Sequence, residues 1–227
     1  MIAKPHESMT FDSREFQKLR LLVASGEGQQ LEFKRKVNYP EKILREMVAF
    51  ANTDGGVLLV GVNDDGSIPG LKYPDGEAHV ISVALKQCRP ALRITERYIS
   101  IGNARWVIQY TIPESRKKLH YLIGADKTKE AYVRVADQSI KASREIREIT
   151  RQARRKNGVR FHYGEHEEFL MKYLDEKGSI TLHEFIKLRN IRRFIASKKL
   201  VRLVLADVLS VTPHEKGDVY ARTQSHT

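Results

Sequence analysis

Acidic residues surround one segment of an otherwise basic chain. Glu27 and Glu32 precede Ala49-Phe50-Ala51-Asn52-Thr53-Asp54-Gly55-Gly56, and Asp64-Asp65 follow it within Gly61-Val62-Asn63-Asp64-Asp65-Gly66. Carboxylates gathered at strand ends can hold Mg²⁺ or Mn²⁺, which activates a water and neutralises a phosphate in the transition state. Glu27 and Glu32 lie across a bend, so they converge only if Gly26-Glu27-Gly28 curls back over the following strand. The bland alternative uses the same residues structurally. Glu27 then belongs to a loop, Glu32 to a salt bridge with a nearby Arg or Lys, and Asp64-Asp65-Gly66 to an ordinary turn.

Positioning these carboxylates falls to a short series of elements. Phe16, Leu19, Leu22 and Val23 recur at helical spacing and predict a helix over 12–24, stopped by Ser25-Gly26. A strand is expected over 30–34. Pro40 suits the first turn of a second helix running to about 52, with Ile43, Leu44, Met47, Val48 and Phe50 inward. Gly55-Gly56 ends that helix, and the continuous apolar run 57–60 reads as a strand buried on both faces. A helix over 76–87 follows, then strands over 92–101 and 105–112 joined at Gly102-Asn103. A strand over 131–135 is expected to alternate strictly between solvent and core, with Tyr132 and Arg134 outward and Val133 and Val135 inward, or the reverse. A strongly basic helix over 143–156, ending at Asn157-Gly158, completes a mixed α+β region with its sheet flanked by helices.

Composition changes near residue 165. Helices over 167–175, 182–188 and 191–206 are followed by short strands over 208–212 and 218–222. Three helices closed by a β-hairpin is the plan of a small winged helix-turn-helix, whose third helix enters the major groove. On that helix Arg192, Ile195, Lys199 and Arg202 share a stripe, while Ala196, Leu200, Leu203 and Val204 form an apolar one. Basic residues on one face and packing residues on another are what a groove-binding helix needs. A helix that only packs or builds a homodimer through Ile191, Phe194, Val201 and Leu205 is the structural alternative. The domains are therefore expected at 1–160 and 165–227.

Lys plus Arg number 40 against 28 Asp plus Glu, a net charge of +12 that favours polyanionic partners. One cysteine, Cys88, excludes an internal disulfide framework and any multi-cysteine zinc site, and fits a reducing cytoplasm. No apolar run approaches the roughly 20 residues of a membrane span. A cytoplasmic protein without a membrane partner is expected.

Glu27-x4-Glu32-Phe33-Lys34, then Phe50 to Gly56, then Gly61 to Gly66 with Gly70, resemble the Schlafen AlbA-like domain, and Ala131-Tyr132-Val133-Arg134-Val135 before Ser139 is similar to its closing strand. The likeness covers roughly residues 20–150, and the 165–227 region resembles the winged-helix modules that bacterial members carry. It implies DNA binding, transcription regulation or ATP binding, and the family's vertebrate branch includes RNA endonucleases built on three acids. The matching positions are Glu27, Glu32 and Asp64 or Asp65, so the resemblance makes Glu27, Glu32 and Asp64 the candidate catalytic residues and Mg²⁺ or Mn²⁺ ligands.

ATP binding lacks support from the residues, since no Gly-x4-Gly-Lys-Ser/Thr occurs and Gly55-Gly56 follows a helix instead of opening one. The expectation is a nucleic-acid-binding protein, DNA before RNA, acting as a transcriptional regulator. Arg192, Arg193, Lys199 and Arg202 would contact DNA, and Arg134, Lys141, Arg144, Arg147 and Arg151 would add phosphate contacts. A metal-dependent endoribonuclease is the alternative.

Overall fold

The computed structural model describes residues 11–115, 119–153 and 163–223. The chain divides into two compact units, Met1–Ser139 and Ile140–Thr227.

The first unit is built on a four-stranded sheet. Helix α1 (Ser13–Ala24) starts at Asp12, whose carboxylate accepts from the Arg14 N–H at 2.8 Å. Strand β1 (Leu31–Lys34), helix α2 (Pro40–Asn52), strand β2 (Gly56–Val60) and helix α3 (Pro74–Leu85) follow. Next come strands β3 (Cys88–Arg89), β4 (Thr95–Gly102), β5 (Arg105–Ile112), β6 (Tyr121–Ile123) and β7 (Lys129–Glu130). Strands β8 (Tyr132–Val135) and β9 (Gln138–Lys141) form a two-stranded sheet through which the chain leaves this unit.

The sheet order is β1-β2-β5-β4, with β1 parallel to β2 and the other pairs antiparallel. Successive residues of β2 face opposite sides: Leu58 and Val60 pack with Ile43, Met47 and Phe50 of α2, and Leu59 packs with Leu19 and Val23 of α1. This is why the apolar run needs no polar alternation. Each fully buried side chain here contributes roughly 1.5–3 kcal/mol of transfer free energy. Gly55 sits at φ +74°, and a Cβ there would lie 2.8 Å from the Ile112 carbonyl oxygen, so both backbone conformation and close approach require glycine.

The second unit holds α4 (Arg144–Ala153), α5 (Glu165–Lys177), β10 (Ser179–Thr181), α6 (Leu182–Arg189), α7 (Arg193–Leu205), β11 (Leu209–Thr212) and β12 (Val219–Arg222). Its sheet order is β10-β12-β11, antiparallel throughout. Leu170, Leu174, Ile180, Phe185, Ala196, Leu200, Leu203, Leu209 and Tyr220 close one apolar core. A capping box starts α6: the Thr181 N–H donates to Glu184 at 2.8 Å, and the Glu184 N–H donates to Thr181 Oγ1 at 3.3 Å. Asn190, left-handed at φ 48°, ends α6 and turns the chain into α7.

Two expectations change. Along β8 the alternation fails, because Tyr132, Val133 and Arg134 are all buried. The basic helix, assigned by sequence to a first region ending at 160, lies in the second compact unit and packs on α7. Its expected end at Arg154 to Lys156 and the Asn157-Gly158 turn lie outside the described residues. Among the described residues, no helix is long and apolar enough to cross a membrane.

Candidate nucleic-acid interface

Glu32 leaves β1 toward a buried arginine. Its Oε2 accepts from Arg134 Nη2 at 2.6 Å, and its other oxygen accepts from Lys34 Nζ. Arg134 on β8 has no exposed side-chain surface. Its Nη1 donates to Glu46 Oε2 of α2 at 2.5 Å, and its Nη2 donates to the Gly28 carbonyl at 2.9 Å. The guanidinium also lies 4.9 Å from the Phe50 ring centroid. Ser139 Oγ donates to Glu46 as well. Two carboxylates are thus balanced by Arg134 and Lys34, the arrangement that offsets the desolvation cost of burying charge.

Glu27 does curl back over β1, as convergence requires, but its Oε1 accepts from the Phe33 N–H at 2.7 Å. Partial burial raises its carboxyl above the ordinary range; that backbone bond opposes the rise, and the charges of Glu32 and Asp64 add to it. The three acids therefore share one field. Among the described residues, no three His, Cys, Asp or Glu side chains gather to hold an ion. Asp64 is exposed, and Asp65 accepts from the Ser67 N–H at 2.8 Å as turn chemistry. Both oxygens of Glu32 are paired with cations and Glu27 Oε1 holds a backbone N–H, an arrangement that argues against a bound Mg²⁺ or Mn²⁺. The catalytic and metal-ligand roles of Glu27, Glu32 and Asp64 expected from sequence draw no support from this geometry.

Asn52 and Thr53 of the central segment also bind backbone. Asn52 Nδ2 donates to the His120 carbonyl at 2.9 Å and the Tyr132 carbonyl at 3.0 Å, and the Arg134 N–H donates to Thr53 Oγ1 at 2.9 Å. The segment from Phe50 to Gly56 docks β8 onto α2. Sequence reasoning missed Glu46, although a carboxylate beside Ile43, Met47 and Phe50 in an inward helical stripe was a visible signal.

The second unit orients its charges differently. Ala196, Leu200 and Leu203 of α7 face the core, while Arg192, Arg193, Lys198 and Arg202 are exposed. Glu145 of α4 is buried; it accepts from Ser197 Oγ at 2.7 Å and lies 3.7 Å from Arg193 Nη2. A hollow of about 250 Å³ beside α7 is lined by Phe194, Ile195, Lys198, Lys199 and Arg202. Phe194 is 64% exposed.

The basic residues expected from sequence separate into three kinds. Arg134 is sealed inside the first unit, so its expected phosphate contact is corrected. Lys199, partly exposed, donates from Nζ to the buried Glu167 at 2.5 Å and so anchors α7 to α5. Arg147 Nε donates to the Ser143 carbonyl at 3.2 Å, and Arg151 pairs with Glu148 one turn earlier. Lys141, Arg144, Arg192, Arg193 and Arg202 are exposed.

A family model described as Schlafen, AlbA_2 matches residues 27–143, just over half of the chain. The chain belongs to this Schlafen AlbA_2 family. The match begins at Glu27 and ends at Ser143, so it takes in the buried Glu32–Arg134–Glu46 network. Among solved structures, the N-terminal domain of an ATP-dependent DNA helicase RecG-related protein from Nitrosomonas europaea is similar at 25% identity and a TM-score of 0.37, over 54% of this chain and 82% of that one. The DIP2311 protein from Corynebacterium diphtheriae is similar at 14% identity and a TM-score of 0.44, over 92% of this chain. The Schlafen AlbA_2 chain described here spans only 38% of that protein. No curated protein matches it.

Proposed function

We propose that this protein is a DNA-binding regulator whose second unit is a winged helix-turn-helix, with α7 as the groove helix and β11–β12 as the wing. The carrying observation is the division of α7 into a face of buried Ala196, Leu200 and Leu203 and an outward set of Arg192, Arg193, Lys198 and Arg202. The order α5, β10, α6, α7, β11, β12, with β12 between β10 and β11, supports this plan. Family membership and the net charge of +12 support a nucleic-acid partner. Lys141, Arg144, Arg147 and Arg151 add phosphate contacts from the same unit. The single cysteine is buried and outside any disulfide, which suits a reducing cytoplasm.

The test is fluorescence anisotropy on labelled duplex DNA at fixed salt. Arg192→Ala/Arg202→Ala is expected to weaken binding at least about tenfold, the size of a few lost charge-assisted contacts. Unchanged affinity in a variant with wild-type stability would remove α7 from the interface.

A further inference from the structure

Helices α2 and α3 begin alike. Tyr39-Pro40 opens one and Tyr73-Pro74 the other, with each tyrosine at the cap position and no side-chain capping bond. Ser, Thr, Asp or Asn would serve the helix better there. Both tyrosines instead stand in solvent, 59% and 72% exposed. Each lies beside a lysine: Lys42 Nζ is 4.8 Å from the Tyr39 centroid, and Lys72 Nζ is 5.4 Å from that of Tyr73. The Val37 N–H donates to Glu77 Oε2 of α3 at 2.7 Å and ties the two helix starts together. Along that connection the tyrosines lie within roughly 20 Å of each other, from two extended residues, one side chain and one helical turn.

We propose that this edge of the first unit binds single-stranded nucleic acid, with Tyr39 and Tyr73 as stacking platforms for bases and neighbouring cations for the backbone. Arg35, Lys36, Lys42 and Lys72 supply the positive charge, while Arg45 lies over the Tyr132 ring at 5.6 Å; Glu41, Asp75 and Glu77 oppose that charge, and the Glu77 carboxylate already accepts from the Val37 backbone. Exposed aromatic rings interleaved with cations are how sequence-tolerant single-strand sites work, because every base offers a π-face. Large exposed aromatic rings that forgo a local helix-capping preference mark a place where the sequence serves something other than folding. The inference rests on the nucleic-acid reading above but uses a different surface from α7.

Anisotropy titrations of the full chain decide it, with labelled oligo-dT and oligo-rU as single strands and a duplex of equal length. Tyr39→Ala/Tyr73→Ala is expected to weaken single-strand binding by about tenfold or more, while Tyr39→Phe/Tyr73→Phe stays near wild type because the rings remain. Duplex affinity and the salt slope on single strands are expected to hold. Single-strand affinity of the alanine variant within about twofold of wild type, or an equal loss on duplex, overturns the proposal and leaves the α7 reading standing. A wild-type chain that binds neither duplex nor single strands overturns both. Binding of an acidic peptide that Tyr39→Ala/Tyr73→Ala abolishes, with no single-strand binding by wild type, overturns it by making the surface a protein site.

Discussion

The two units handle charge in opposite ways. In the first, buried Arg134 and Glu32 are joined by the partly exposed Glu46 and Lys34, and the four neutralise one another. In the second, α7 turns Ala196, Leu200 and Leu203 inward and leaves Arg192, Arg193, Lys198 and Arg202 outward. Charged residues of the same types thus do different work according to the surface they share. A buried network fixes how strands meet; an exposed row remains available to a partner. Conspicuous acids in a motif are therefore poor evidence of catalysis until their counter-ions are known.

The comparison breaks most sharply at Arg134. Arg134→Ala leaves Glu32 and Glu46 without their shared cation and is expected to cost about 3–5 kcal/mol, measured by urea denaturation. A cost within about 0.5 kcal/mol would mean the network is a surface feature. On α7 the prediction divides by face. Leu200→Ala, at a fully buried position, is expected to lose about 2–5 kcal/mol of stability with a cavity left behind. Arg202→Ala should leave stability within about 0.5 kcal/mol while lowering DNA affinity. Equal stability losses for both would show that α7 has no outward face.

Smaller effects refine the contrast. Thr181→Ala removes the capping box that sets the start of α6, and about 1 kcal/mol should be lost in thermal or urea unfolding. The Glu46 carboxyl offers a pH test. Burial raises it above its ordinary range; Ser139 Oγ opposes this, Glu32 adds to it, and Arg134 and Lys34 oppose it. A raised carboxyl binds its proton more tightly in the folded state. Its contribution to stability is present below the ordinary glutamate value of about 4.3 and is lost as pH rises through the folded value. The stability of wild type relative to Glu46→Gln should therefore fall as pH increases from about 4 toward neutrality. A difference that grows with pH would reverse the assignment.

Much of the scaffold was legible in the residues. Apolar spacing located α1, α2 and β2, and the glycine stop at Gly55 was readable because only glycine tolerates that backbone beside the Ile112 carbonyl. The short strands β3, β6 and β7 span two or three residues each, too few to carry a period. The pairing of the acids was hidden for a different reason. Glu32 and Arg134 are 102 residues apart, so nothing local announces that the one neutralises the other. The pairing of Lys199 was hidden similarly, because its stripe on α7 gives its direction but not the buried Glu167 of α5 that receives it. The exposure of Arg192 and Arg202 was legible because an outward face needs no distant partner.

The most direct test is the salt dependence of duplex DNA binding by wild type and Arg192→Ala/Lys198→Ala/Arg202→Ala. Each phosphate contact contributes about 0.9 to the slope of log affinity against log salt. The triple variant should therefore flatten that slope by about 3 while unfolding at the same urea concentration as wild type. An unchanged slope in a stably folded variant would contradict the assignment of the outward face of α7 to DNA.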